Sequence, residues 1–250
     1  MAQPSSFADS VDDPRITAQF LRQVHTEGAG DVTLVGVVHD HPASVARVRT
    51  VLETLEHDRL ALELPPAALP LYRCYAREDA SPPRFGGEMS AALQTSDADP
   101  VGIDAPNWSF LRRLCTRLVA DRASPSIARR VVSSLGGATR EALTCRVAAT
   151  LTNATSMTIA YEDPIEYECG HDDTPERQAK HERGHVAGVQ ALLGATAGTA
   201  SALDYRDETR EQCMIDRLES CRAEGDVVAV VGVDHLEALE DGLTASATRD

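Results

Sequence analysis

The sequence predicts an α/β protein with a central, partly parallel or mixed sheet flanked by helices, together with an additional helical region. Three observations carry that expectation. The runs Asp31–Val38 and Asp226–Val231 are almost unbroken in apolar residues, the pattern of strands covered on both faces. From Asp31 to Leu64 the chain reads strand, helix, strand, the order that opens a βαβ unit. At 250 residues and 42% hydrophobic composition, it is long enough to fill one α/β core.

Each element has a local cause. Residues 1–30 are polar and read as a leader, with at most a short helix over Ile16–Val24. After the first strand, Val45, Val48, Val51, Leu52 and Leu55 recur at helical spacing within Ser44–His57. Leu60–Leu64 is a second strand, stopped by Pro65 and Pro66. Gly86-Gly87 introduces a helix through Met89 and Leu93, and Val101–Asp104 reads as a third strand before a helix over Phe110–Val119. The region 121–200 reads as a mainly helical insertion, interrupted by an acidic, loop-like stretch from Tyr161 to Asp173. A helix closing over Met214–Cys221 leads to the final strand at Asp226–Val231, and a short helix begins at Glu237–Leu239. One α/β domain is therefore expected over 31–242, with 243–250 as a polar tail.

Composition narrows the classes of partner. Acidic residues outnumber Lys plus Arg by 39 to 24, a formal net charge of −15, so the surface repels nucleic acids and anionic lipids. Lys180 is the single lysine, and an acidic chain of this kind suits concentrated salt; a halophilic host is the expectation, against a high-GC genome as the rival explanation. Cys74, Cys115, Cys145, Cys169, Cys213 and Cys221 form no CxxC pair and are expected as reduced thiols in the cytoplasm. The first residues lack the pattern of a signal peptide, and no apolar run approaches the roughly 18 residues of a membrane span.

Two phrases repeat across the chain. Asp31–His39 and Asp226–His235 each run from a hydrophobic strand into GxxH, as Gly36–His39 and Gly232–His235. Chance supplies about half a GxxH match at this composition, so the bare motif is weak and its placement after two buried strands is what raises it. Ligands of open α/β sheets collect outside the carboxyl ends of strands, where His39, His235, Glu63 and Asp104 are all expected. Two imidazoles and a carboxylate form a divalent-metal donor set that would acidify a bound water; strand-end histidines that merely hydrogen-bond loops are the bland alternative.

Those residues also carry a resemblance. Leu34–His39 followed by Ser44, Leu60–Leu64 with Arg73, Gly86–Leu93, Arg210 with Met214, and Val228–His235 together resemble the TraB family, which includes pheromone-shutdown proteins. More distantly, they resemble the Tiki proteases and the erythromycin-esterase/ChaN-like group. The landmarks run from about residue 31 to 242. The resemblance implies a metal-dependent hydrolase acting on a peptide or another small carbonyl substrate, with His39, Glu63 and His235 as metal ligands. The metal itself is left open among manganese, cobalt, zinc and iron. Glu88 and Arg210 match further recurrent polar positions. Glu88 would serve as general base, against an exposed helical charge; Arg210 would hold a substrate carboxylate or an oxyanion, against a salt bridge with Glu211 or another acidic residue. Asp104 would either support a ligand or cap the next helix. A noncatalytic peptide- or signal-binding regulator is the alternative function. The hydrophobic carboxyl-terminal membrane region of many relatives is missing from this sequence.

A rival motif lies in the insertion. His181-Glu182-Arg183-Gly184-His185 matches HExxH, in which both histidines would bind zinc from one helix face and Glu182 would act as base. Gly184 inside the motif, Pro175 shortly before it and Ala191 in place of a third histidine weigh against it, and a polar helix face is the simpler expectation. Asp40 and His41 would flank the first site, with His41 equally suited to face solvent.

Overall fold

The structure is a computed structural model that describes residues 7–104, 144–145, 148–149, 163–194 and 202–247. Its centre is a five-stranded sheet of order β1-β2-β5-β3-β4. The strands are β1 (Leu21–Val24), β2 (Val32–Val37), β3 (Arg59–Leu62), β4 (Asp99–Gly102) and β5 (Val227–Gly232). β1 runs antiparallel to β2, and every other pairing is parallel, so the mixed sheet expected from the sequence is present.

The apolar runs are explained by helices on both faces. Along β2 successive side chains alternate between two cores, because the strand period is two. Leu34, Ala61, Ala229 and Val231 meet Met214, Leu218, Leu239 and Leu243 on one side. Val35, Leu60, Leu62 and Val230 meet Val48, Val51, Leu52, Met89 and Ala92 on the other. The first group of helical residues belongs to α6 (Ala202–Arg222) and α7 (Leu236–Ala247), the second to α2 (Pro42–Thr54) and α4 (Gly87–Thr95). Further helices among the described residues are α1 (Phe7–Ser10), α3 (Leu69–Tyr75) and α5 (Pro175–Gly194). Leu71 and Tyr75 of α3 pack on Cys145, Ala148 and Ala149, helical residues of the expected insertion. The helix read over Phe110–Val119 lies outside the described residues.

Both ends of the chain depart from expectation. No helix forms over Ile16–Val24. Leu21–Val24 instead pairs with the open edge of β2, burying Leu21 and Val24 while Arg22 and Gln23 stay partly exposed. Ile16 and Phe20 are also buried, so this part of the polar leader belongs to the core. Main-chain pairing along an unfilled sheet edge outweighs the weak local helical pattern. At the other end α7 continues to Ala247, and Leu243 inside the expected tail is fully buried. Among the described residues no helix is long and apolar enough to cross a membrane.

β5 enters between β2 and β3, so the last strand in sequence lies centrally in the sheet. Gly36 pairs with Val231 and Val37 with Gly232, which sets the two GxxH phrases one residue out of step. At the opposite end, the Gly30 N–H bonds to the Arg222 carbonyl at 2.9 Å, and a Cβ on Gly30 would overlap the Gly225 carbonyl. Gly30→Ala is therefore expected to destabilise the fold by about 1–3 kcal/mol in urea denaturation. A wild-type midpoint would mean that these two turns separate without cost.

Candidate functional site

A cleft of about 450 Å³ opens at the carboxyl edge of the sheet, lined among others by His39, Glu63, Glu88, His185 and His235. Both GxxH histidines and both candidate glutamates thus meet one space. Valines and Met89 supply much of the remaining wall, and Ile165 and Tyr167 of the stretch before α5 complete it.

His39 is turned by a buried carboxylate. Glu88 sits in the first turn of α4 with no exposure, while the His39 side chain is 50% exposed. Glu88 Oε1 lies 2.8 Å from His39 Nδ1, and Oε2 accepts the Asp40 N–H at 2.9 Å. An ionised carboxylate only accepts, so the ring proton is on Nδ1 and Nε2 is the basic nitrogen. Tight backbone makes this approach feasible. Gly86 and Gly87 have φ of 79° and 45°, and Asp40 has φ of 56°. A Cβ on Gly87 would strike Asp40, which is why the helix is introduced by glycine.

Asp40 also fastens the far wall. Its Oδ2 accepts the Ile165 N–H at 3.0 Å, and the Tyr167 hydroxyl donates to the His39 carbonyl at 2.7 Å. Burial raises the Asp40 carboxyl above its usual range, with Glu88 adding to the effect and the Ile165 N–H partly opposing it. Burial and the carboxylates of Asp40, Glu88 and Glu182 push Tyr167 up to about 12.

The second wall is an ion network. Glu63 Oε2 accepts the Gly232 N–H at 2.6 Å, and Oε1 accepts from Arg210 Nη2 at 2.9 Å. Arg210 also grips Asp104 through Nε and Nη2, each at 2.8 Å. Arg210 therefore positions Glu63, and the salt-bridge alternative describes its contacts; Asp104 is its partner. His235 faces Glu211 through Nδ1 at 2.9 Å and Glu63 through Nε2 at 3.4 Å. Burial opposes its positive charge, but the two carboxylates prevail and raise His235 to about 9. Burial likewise opposes the Glu63 anion, yet His235, Arg210 and the Gly232 N–H hold its carboxyl below the usual range.

HExxH lies on a continuous helix: Pro175 opens α5 and Gly184 lies within it. Glu182 is nevertheless fully buried, bonded to Ser44 Oγ at 2.6 Å and paired with the equally buried Arg47. Its carboxylate is committed to holding α5 against α2. His41 is buried rather than solvent-facing. Its Nδ1 accepts the Ala43 N–H at 3.1 Å and caps α2, so Nε2 carries the proton and points at His181 Nδ1, 2.9 Å away. Burial, His181 and Arg47 lower His41 to about 4.

His39, Glu63 and His235 have the donor chemistry of a divalent-metal site; neighbours of Glu63 and His235 compete for that role, whereas a carboxylate at His39 Nδ1 is what a metal-ligating imidazole commonly has behind it. His39 Nδ1 is on Glu88, and both His235 nitrogens face carboxylates. Among the described residues no group of three or more His, Cys, Asp or Glu side chains is placed to hold a metal ion. No step below is routed through a metal. Sequence reasoning missed Ile165 and Tyr167, and it weighed Glu211 as a partner of Arg210 rather than of His235. Glu211 is masked by its acidic helix, and the other two are the apolar and aromatic residues of an otherwise acidic stretch. Compared with known proteins, the chain matches no family model, no curated protein and no solved structure.

Two outcomes follow from these ion pairs. Glu182→Gln leaves the Arg47 charge buried without its counterion and is expected to cost about 3–5 kcal/mol in chemical denaturation; an unchanged midpoint would refute the structural role. For His235, a folded pKa raised from 6.5 to about 9 means that its stabilisation is complete below pH 6.5 and lost as pH rises through 9. Wild type should therefore exceed Glu211→Gln in denaturation midpoint at pH 6, with the gap narrowing by pH 9.5. A constant gap would show that Glu211 acts independently of the imidazolium.

Proposed function

We propose that the cleft hydrolyses a peptide or another small carbonyl compound. One observation carries this reading: a histidine backed by a buried carboxylate and a histidine held between two carboxylates line the same cleft at the ends of adjacent parallel strands. His39 would take a proton from water at Nε2 as the oxygen attacks the carbonyl carbon, with Glu88 steadying the imidazolium through Nδ1. His235, a cation at neutral pH that keeps its pairs with Glu63 and Glu211, would add positive potential near the oxyanion without a hydrogen bond to it. The proton held by His39 would then pass to the leaving group as the scissile bond breaks, so that water is divided between the two products.

The resemblance to the TraB and Tiki groups points toward the same chemistry and adds dependence on a divalent metal. A screen of short peptides and activated esters tests both forms. For the acid–base form, turnover should survive a chelator, and His39→Ala should lower kcat/KM by about 10²–10⁴-fold. Activity that instead requires stoichiometric metal, with that metal lost from both His39→Ala and His235→Ala, would establish the metal-dependent form. Ligand binding without turnover across the screen would replace the hydrolase by a noncatalytic peptide- or signal-binding regulator.

A further inference from the structure

The charges around the cleft are unequal in a way that selects its ligand. Glu63, Glu88, Asp104, Glu211 and Asp234 stand in or directly behind it, against Arg210 and His235. Both positive groups already face carboxylates. Arg210 grips Asp104 and Glu63, and His235 lies between Glu211 and Glu63. A ligand carboxylate would have to break one of these pairs, at the desolvation cost of the group left behind. A ligand cation meets no such obstacle: Asp234 lines the cleft and is exposed, so its carboxylate is accessible at the rim.

The remaining wall is aliphatic. Val186, Val189 and Val233 line the cleft with Ile165, whose side of the wall is fastened by the Ile165 N–H to Asp40. Ile165 is 50% exposed, one of two large apolar residues so exposed among the described residues. Its main chain is latched while its apolar side chain remains accessible, which suits a surface covered when ligand is present.

We propose that the cleft receives a primary ammonium carried on an aliphatic chain, with the ammonium at Asp234 and the aliphatic group against Ile165, Val189 and Val233. The inference rests on the cleft being the ligand site of the reading above. The amino terminus of a peptide beginning with an aliphatic residue has this chemistry, and so does a free aliphatic amine.

The test uses L-leucinol, which has the ammonium and the isobutyl group but no carbonyl to hydrolyse. Calorimetric titration of the full chain should show leucinol binding about fivefold tighter than N-acetyl-leucinol or 4-methylpentanoate, the upper range for a partly solvated ion pair. Asp234→Asn should erase that preference. Ile165→Ser should weaken leucinol and N-acetyl-leucinol alike, leaving their ratio unchanged. Equal or tighter binding of 4-methylpentanoate, a preference that survives Asp234→Asn, or no binding of leucinol would overturn the inference. Displacement of leucinol by Leu-Gly-Gly assigns the site to a peptide terminus, and failure to displace assigns it to a small amine, both within the proposed chemistry. Leucinol binding without hydrolysis of any substrate leaves the inference standing and removes the hydrolase. Turnover confined to N-acylated substrates does the reverse.

Discussion

Arg47 is a charged side chain with no exposure to water, and one wall of the cleft depends on how that charge is neutralised. Taking a guanidinium out of water is costly unless its donors and its charge are matched. Here Nε reaches the Arg15 carbonyl at 2.6 Å, Nη1 reaches the Gly36 carbonyl at 2.6 Å, and Nη2 pairs with Glu182. The ring of Phe20 lies 4.0 Å from the guanidinium carbon, so its negative face adds to the match. One side chain thereby joins the amino-terminal segment, β2, α2 and α5. Because α5 also carries His185, Val186 and Val189, the ion pair seats that wall of the cleft.

The same physics gives three histidines at this sheet edge different characters. His235 lies between two carboxylates and remains a cation through neutral pH. His41 is buried near Arg47 and His181 and remains neutral. His39 has one buried carboxylate behind it, which fixes the proton on Nδ1, and half of its side chain is open to the cleft. Carboxylates on both sides of an imidazole favour its cation, whereas burial beside a guanidinium favours the neutral ring. The neighbours of His235 and His41 separate the two in this way, and no exotic side chain is needed.

The central strands and the helices α2 and α4 were legible because their causes are local: unbroken apolar runs, a 3.6-residue period, and glycine at the turn into α4. β1 was not, since a four-residue edge strand with Arg22 and Gln23 in its middle has little pattern of its own and exists through β2. Within the site, the strand-end rule brought His39, Glu63 and His235 to one edge. It could not say which carboxylate would face which imidazole. Glu88 reaches His39 across 49 residues, and Glu63 meets Arg210 across 147, pairings fixed by the packing of helices on the sheet. HExxH gives the sharpest case. Its spacing and its helix are both present, yet Arg47, 135 residues away, determines what Glu182 does.

The two GxxH phrases show why repetition in sequence need not mean repetition in chemistry. β2 and β5 are parallel neighbours, so a repeated strand-to-histidine phrase necessarily delivers two imidazoles to adjacent positions. The register, however, is offset by one residue, and after Gly232 the chain enters a short 3₁₀ turn over Val233–His235. His235 is thereby drawn toward β3 and α6, where Glu63 and Glu211 wait, while His39 leans toward α4 and Glu88. Had the phrases been in step, the two rings would have met more nearly equivalent surroundings. A single residue of register therefore turns a duplicated motif into an asymmetric pair, one imidazole backed by a single buried carboxylate and the other held between two.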